Sequence, residues 1–269
     1  MIPAPVRYAR ASTLEHAFEL LAEPDSKVIA GGQSLIPVMK LRIARPSLVV
    51  DISQLELRGV EIRGDELHLG SLATWDELLE APELRRPSLA AIGECARGIG
   101  DLQVRNRGTV GGSLAHADPA SDMPAVLLAL GATLQVRSPE GERIVGLADF
   151  LLGPFTTALG AQELITRVVV PLPAPGSGSA YVSVEHPASG FALAGAAALE
   201  GPDGSSRVAV TGIAGQPFLL ADDDPEKALE AEAIFGDRFA SAEYRRELAA
   251  VVVRRAVERA AERARGDHQ

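Results

Sequence analysis

Two glycine turns constrain this chain more than any other feature. The first is Ala30-Gly31-Gly32-Gln33-Ser34, at the end of the short strand-like run Lys27-Val28-Ile29-Ala30. The second is Thr109-Val110-Gly111-Gly112-Ser113, inside a longer polar run from Val104 to Asp122. Each leads towards a helix-like segment. Paired glycines let backbone N–H groups approach an anion with no Cβ in the way. Two such turns in one small protein can grip a pyrophosphate from both sides, which points to a dinucleotide. The chain has no Gly-x-Gly-x-x-Gly and no Gly-x-x-x-x-Gly-Lys-Ser/Thr, so neither a Rossmann site nor a P-loop is supported.

Composition removes several other classes. At 269 residues and 46% apolar content the chain can bury a sizeable core in two or three subdomains. Its net charge is −10, with no dense Lys/Arg cluster outside the C-terminal segment, so no nucleic-acid partner is expected. The single cysteine, Cys95, sits in the apolar pattern Ile92-Gly93-Glu94-Cys95-Ala96 and reads as a buried small hydrophobe. One cysteine cannot form an internal disulfide, hold an iron–sulfur cluster or build a Cys-based zinc site. No apolar run approaches the roughly 20 residues of a membrane span. The start, Met1-Ile2-Pro3-Ala4-Pro5, lacks a basic segment followed by an apolar core, so a cytoplasmic protein is expected.

Periodicity divides the chain into three regions. Residues 1–56 read as a small α/β unit: a helix over 13–22 capped by Thr13 or Ser12, strands at 27–30 and 47–52, and a short helix over 35–41. In residues 57–171, Val60–Arg63 and Glu66–Leu69 form a hairpin across Gly64-Asp65. Helices are expected from Thr74, over Leu89–Ala96 and over Met123–Leu130; strands are expected over 132–137, 142–145 and 163–170. Pro171 to Ser179 is a Pro/Gly/Ser linker. In residues 177–269, strands follow over 180–184, 192–199 and 207–213. The second of these is alanine-rich and helical by propensity, but the turn Gly201-Pro202-Asp203-Gly204 after it favours a meander. A closing helix shows an apolar stripe at Leu248, Val251, Val252 and Ala256.

Here a resemblance becomes specific. The run Ala30 to Arg42 resembles the first FAD motif of the flavoprotein (medium) subunit of molybdenum hydroxylases, a family that includes carbon monoxide dehydrogenase and relatives of xanthine dehydrogenase. Gln103 to Ser113 resembles the family's second motif. Gly153 to Leu159, Glu163 to Ile165 and Ala240 to Arg255 resemble later segments, in order along essentially the whole chain. The resemblance implies an α+β protein: a two-subdomain PCMH-type FAD-binding fold (1–56 and 57–171), followed by a C-terminal three-stranded antiparallel sheet with helices (177–269).

The same resemblance implies site residues. Backbone amides of Ala30, Gly31, Gly32, Gln33 and Ser34, leading into Leu35, and of Thr109, Gly111, Gly112 and Ser113 would hold the pyrophosphate. On that basis Gly111→Asp would abolish FAD binding without unfolding the chain. Asp122 matches an acid that contacts FAD, with helix capping as its alternative; Asp118 is a weaker candidate. Ile99 would pack on the cofactor, with core packing as its alternative; Leu164 and Ile165 would lie beside the isoalloxazine; and Tyr181 would stack on the ring, with sheet packing as its alternative. His116, whose loop position would also suit a catalytic histidine, is assigned a structural or peripheral role. The family's basic Arg-Ala-Ser-Asp-like stretch is here Glu185-His186-Pro187-Ala188-Ser189-Gly190, and Glu185 near the ring would oppose a reduced, anionic flavin. Gln33 stands where some covalent flavoproteins carry His, so FAD is expected to be non-covalent.

The implied function is electron transfer. A large partner would carry the molybdenum cofactor and a small partner the [2Fe–2S] clusters, in a heterotrimer that dimerises. Electrons would reach FAD on this chain and leave to an external acceptor. A stand-alone FAD-dependent oxidase or dehydrogenase is the first alternative, and a paralogue that has lost FAD is the second.

Overall fold

The computed structural model describes residues 2–221, 229 and 233–266. The first sheet is parallel, with strands β1 (Arg7–Arg10), β2 (Ser26–Ile29) and β3 (Leu48–Asp51) in the order β1-β3-β2. Central β3 reads Leu-Val-Val-Asp and is buried throughout, as a strand covered on both faces must be. Helix α1 (Leu14–Leu21) buries Ala17, Phe18 and Leu21, and Thr13 caps it by accepting the His16 amide. Helix α2 (Leu35–Lys40) follows the first glycine turn. β1 is absent from the pattern reading. It is an edge strand with arginine at both ends, so it carries no apolar alternation.

The second sheet is antiparallel. Hairpin β4 (Val60–Arg63) and β5 (Glu66–Gly70) pairs across Gly64, whose φ of 58° supplies the left-handed turn. Then come helices α3 (Trp75–Glu80), α4 (Ala90–Gly98), α5 (Leu102–Arg105), α6 (Val110–His116) and α7 (Asp122–Ala129). Strands β6 (Thr133–Ser138) and β7 (Gly141–Gly146), helix α8 (Leu147–Phe150), the small ladder β8 (Leu151–Gly153) and β9 (Thr156–Thr157), and β10 (Leu164–Pro171) complete the region. The order is β4-β5-β10-β6-β7. Thr74 caps α3 through a full capping box with Glu77. Helix α7 is buried all round, and its apolar run Met-Pro-Ala-Val-Leu-Leu-Ala shows no polar face.

The third sheet has strands β11 (Gly178–Glu185), β12 (Ala192–Glu200), β13 (Ser206–Thr211) and β14 (Phe218–Leu219) in sequence order. The two-residue β14 adds a fourth strand to the expected three and is too short to leave a period. Strand β12 is Ala-Leu-Ala-Gly-Ala-Ala-Ala-Leu-Glu. Its helix propensity is overridden because both faces are covered. Ala194, Ala196 and Ala198 pack with helix α9 (Ala242–Gly266), while Ala197 packs with the core that contains α7. The buried face of α9 is Ala249, Val252, Val253, Ala256, Ala260 and Ala264, so the stripe lies one position off the expected Leu248 and Val251, which are only partly buried. Alanines let the helix lie so close that a Cβ on Gly178 would come 2.2 Å from the Ala260 carbonyl.

Glu94 of α4 ties these layers together. Its carboxylate accepts from Arg263 at 2.6 and 3.0 Å, from Arg259 at 3.2 Å and from the Tyr181 amide at 2.8 Å. Arg263 also donates to the Ser179 carbonyl at 2.6 Å. Burial pushes the Glu94 carboxyl up, but the Arg263 and Tyr181 bonds outweigh it and hold the group below its ordinary value. Glu94→Ala is expected to cost about 2 kcal/mol in urea unfolding, because it leaves Arg263 and a backbone amide without their acceptor. Arg259→Ala, whose partner keeps Arg263, is expected to cost less than about 1 kcal/mol.

Candidate functional site

A cleft of about 540 Å³ opens between the first sheet and the helices of the second region. That lies within the ~300–1,000 Å³ range of ligand and cofactor clefts. One wall is the loop after β2, at the carboxyl end of a parallel strand, where open α/β sheets bind ligands. The other wall is Trp75, Ile99, Val104 and the stretch from Gly108 to Asp122. Phe191 borders the cleft from the β11–β12 turn.

The two glycine turns touch directly. A Cβ on Gly31 would lie 1.8 Å from the Arg107 carbonyl oxygen and 3.1 Å from Gly108 Cα, so glycine is required for one backbone to rest on the other. Gly32, at φ 76°, turns the chain into α2. The loops then treat their amides differently. In the second, Val110 donates to the Ala73 carbonyl at 3.0 Å and Gly111 to the Ser71 carbonyl at 2.8 Å. Gly112 donates to Thr109 Oγ1 at 3.1 Å and Ser113 to the Thr109 carbonyl at 3.0 Å. In the first, the amides of Gly31, Gly32, Gln33, Ser34 and Leu35 donate to no group among the described residues.

This corrects the expected symmetric grip. Gly111 and Gly112 lie inside helix α6, capped by Thr109, and not in an open turn. Gly111 does not line the cleft. A Cβ there would sit 2.6 Å from Ser71 Cβ and 2.8 Å from its carbonyl oxygen, so Gly111 is a packing glycine. The second turn is a rigid floor, and the open donors belong to the first.

The structure brings Ala30, Gly31, Gly32, Gln33, Ser34, Leu35, Ile99, Thr109, Gly112, Ser113, Asp118 and Asp122 together on the cleft. The Ser113 hydroxyl meets that of Ser121 at 2.9 Å, and Asp118 accepts the Ala120 amide at 3.0 Å. Besides Gly111, three expected residues stand elsewhere. Leu164 and Ile165 on β10 are 3% and 5% exposed in two hydrophobic cores, placed there by strand alternation. Tyr181 is buried behind Asp122. Its ring lies over Gly195, and its hydroxyl donates to the Asp122 carboxylate in a short bond. It faces a second cavity of about 370 Å³ with Glu94, Cys95 and Glu185. Glu185 therefore borders the Asp122 side cavity and not the cleft itself.

Phe191 is an aromatic that reaches the cleft, and pattern reading missed it. Its signal was an aromatic directly after Ser189-Gly190, held half exposed by a turn in which His186 N donates to the Phe191 carbonyl at 2.8 Å. Trp75 and His116 also line the cleft. His116 packs its ring against Phe155 at 5.2 Å.

Asp122 is the first residue of α7, and Ser121 makes no side-chain cap. Burial pushes the Asp122 carboxyl up to about 6, helped by the nearby Glu185 and Asp118 charges and opposed by the Tyr181 hydrogen bond.

The chain is similar to known proteins over nearly its whole length. A family model for the FAD-binding domain in molybdopterin dehydrogenase matches residues 4–173. The carbon monoxide dehydrogenase medium chain of Afipia carboxidovorans is 35% identical over 98% of this chain and 100% of its own. The nicotine 6-hydroxylase medium subunit of Paenarthrobacter nicotinovorans is 36% identical over 95% of this chain and 97% of its own. The solved structure of reconstituted CO dehydrogenase from Oligotropha carboxidovorans matches with a TM-score of 0.92 at 34% identity, covering 98% of this chain and 100% of that one.

Two outcomes test the geometry. Gly111→Ala is expected to cost about 2 kcal/mol of stability by overpacking against Ser71, read as a lowered urea midpoint. For Asp122 the folded value of about 6 exceeds the ordinary 3.8, so its contribution is full below 3.8 and is lost as pH rises through about 6. That gap amounts to at most roughly 3 kcal/mol. Wild type is therefore expected to lose stability relative to Asp122→Asn between pH 4 and pH 7, in paired urea titrations.

Proposed function

The chain belongs to the family of FAD-binding domains of molybdopterin dehydrogenases, and from that premise we propose that it is the electron-relay subunit of a molybdenum hydroxylase, with FAD in the cleft described above. The observation that carries this reading is the row of five open amides, Gly31 to Leu35, on residues that line a cleft of cofactor size. Oriented N–H groups at the start of a helix favour an anion, and a pyrophosphate supplies one.

The residues fit the cofactor in detail. The amides of Gly31 to Leu35 hold the pyrophosphate, and the Ser34 hydroxyl, which makes no cap bond, is available to it. Thr109, Gly112 and Ser113 form the floor beneath. The Asp122 and Asp118 carboxylates accept from hydroxyl groups of the ligand. Ile99, Trp75 and Phe191 supply apolar wall that excludes water from a flat ring. Gln33 offers no nucleophilic nitrogen at the loop, which supports non-covalent binding. Bound FAD supplies redox chemistry that takes electrons singly and passes them on in pairs.

The electrons come from elsewhere in this reading. Cys95 is the chain's single cysteine and is buried, and no group of three His, Cys, Asp or Glu side chains among the described residues is arranged to hold a metal. The [2Fe–2S] clusters are therefore assigned to a small partner and the molybdenum cofactor to a large one, with an external acceptor taking electrons from FAD. No helix among the described residues is long and apolar enough to cross a membrane.

The purified chain is expected to show a flavin absorption spectrum. Acid or heat is expected to release free FAD and leave a colourless protein, as non-covalent binding requires. A colourless chain that also fails to take up added FAD would overturn the proposal. Gly31→Ala, which forces the first loop off the second, is expected to weaken FAD at least about tenfold by equilibrium titration.

A further inference from the structure

The turn that closes α2 keeps a residue the fold does not ask for. Arg42 N donates to the Met39 carbonyl at 2.9 Å and Ile43 N to the Val38 carbonyl at 3.0 Å, the paired bonds of a Schellman cap. This cap puts residue 42 in the left-handed region, at φ 58°. Glycine is the usual occupant, because a Cβ is strained there. An arginine held in a glycine place points to a use for its side chain. The guanidinium takes no part in the cap: Arg42 is exposed, and its Nε donates to the Ile2 carbonyl at 3.4 Å.

Apolar side chains stand in water around it. Leu41 is 53% exposed, Ile43 75% and Ile2 80%. The residue in the place of Ile43 ordinarily folds back on the last helical turn. At its exposure Ile43 gains little from that contact. Apolar side chains gathered round one exposed turn mark a surface that another molecule covers.

Charge narrows what covers it. Residues 26–50 carry Lys27, Lys40, Arg42 and Arg45 and no Asp or Glu, in a chain whose net charge is −10. Arg45 Nε donates to the Arg42 carbonyl at 3.2 Å, so both arginines belong to the same turn. Lys40, Arg42 and Arg45 make no ion pair among the described residues. A second copy of this chain is a poor occupant, because a two-fold interface sets these cations against themselves. An anionic lipid surface is a poor one too. It repels the rest of the chain, and residues 26–50 contain no Phe, Tyr or Trp to anchor in a headgroup layer. A protein face with an apolar centre and carboxylates around it complements both the charge and the apolar surface.

We propose that the turn between α2 and β3 is a docking surface for a partner protein presenting such a face, with its apolar centre on Leu41 and Ile43 and its carboxylates on Arg42 and Arg45. The proposal rests on the reading above that this chain works with partner subunits. It adds where one of them sits and what chemistry the surface of that subunit carries.

The test measures binding of the purified full chain to the purified pair of iron–sulfur and molybdenum subunits by biolayer interferometry, at low salt and at about 0.15 M salt. Wild type is expected to bind more weakly as salt rises. Arg42→Gly is expected to weaken binding at least about tenfold and to flatten the salt dependence. Its urea midpoint is expected to hold or rise, because glycine relieves the left-handed strain. Ile43→Ser, at an exposed position, is expected to weaken binding at least about tenfold with its urea midpoint unchanged. Flavin absorbance per chain is expected to stay the same in both. A purely structural turn would instead lower the midpoints and spare binding. Variants that bind the subunit pair as wild type does overturn this inference alone. So does a wild-type dimer in sedimentation that Arg42→Gly dissolves, or wild-type binding to phosphatidylglycerol vesicles that Arg42→Gly loses. A wild-type chain that ignores the subunit pair at both salts overturns this inference and the reading beneath it.

Discussion

The cleft depends on a single backbone-on-backbone contact. Gly31 rests on the Arg107 carbonyl with no room for a side chain between them. This approach is possible because the second loop has already spent its amides on Ser71, Ala73 and Thr109 and is held as a solid surface. The first loop lies on that surface and keeps its own donors open. Five unpaired amides would be costly if buried dry, but residues 31–35 are only partly buried or exposed, so water can satisfy them. One loop supplies rigidity and the other supplies chemistry, although the two share the same Gly-Gly signature.

That shared signature explains how far the sequence could be read. The first turn, the cap at Thr74, the Gly64 hairpin and the meander through β12 were legible, because each rests on local backbone chemistry or on strand alternation; the second was read as a turn and is the start of helix α6. The family was legible from the motif order. The roles within the motifs were not. Whether a glycine faces a ligand or a neighbouring backbone depends on a partner far away in sequence, and Ser71 carries no mark that it will sit under Gly111. Tyr181 and Phe191 show the same limit. Both are aromatics in or beside a strand of the third sheet, and only the β11–β12 register and the intervening turn decide that the first goes behind Asp122 and the second onto the cleft.

The electrostatics of the cleft are mixed. Open amides at the first loop favour negative charge, while Asp118 and Asp122 border the same space. Burial pushes the Asp122 carboxyl up to about 6, and Tyr181 behind it supplies the hydrogen bond that a buried carboxylate needs. Glu185 borders the cavity behind Asp122, and its charge raises the Asp122 carboxyl. Its effect there is a change in proton affinity.

The alanine seam between β12 and α9 has a mechanical meaning. Alanine has no χ rotamers and the valines beside it are already stiff, so docking the helix on the sheet freezes little side-chain entropy, and the seam has little alternative packing to fall back on. A contact surface built from longer side chains can slide and refill its gaps; this one fits in one place or separates. The hairpin that carries Phe191 grows from the same sheet, so its position inherits an all-or-none stiffness from methyl groups well away from the cleft.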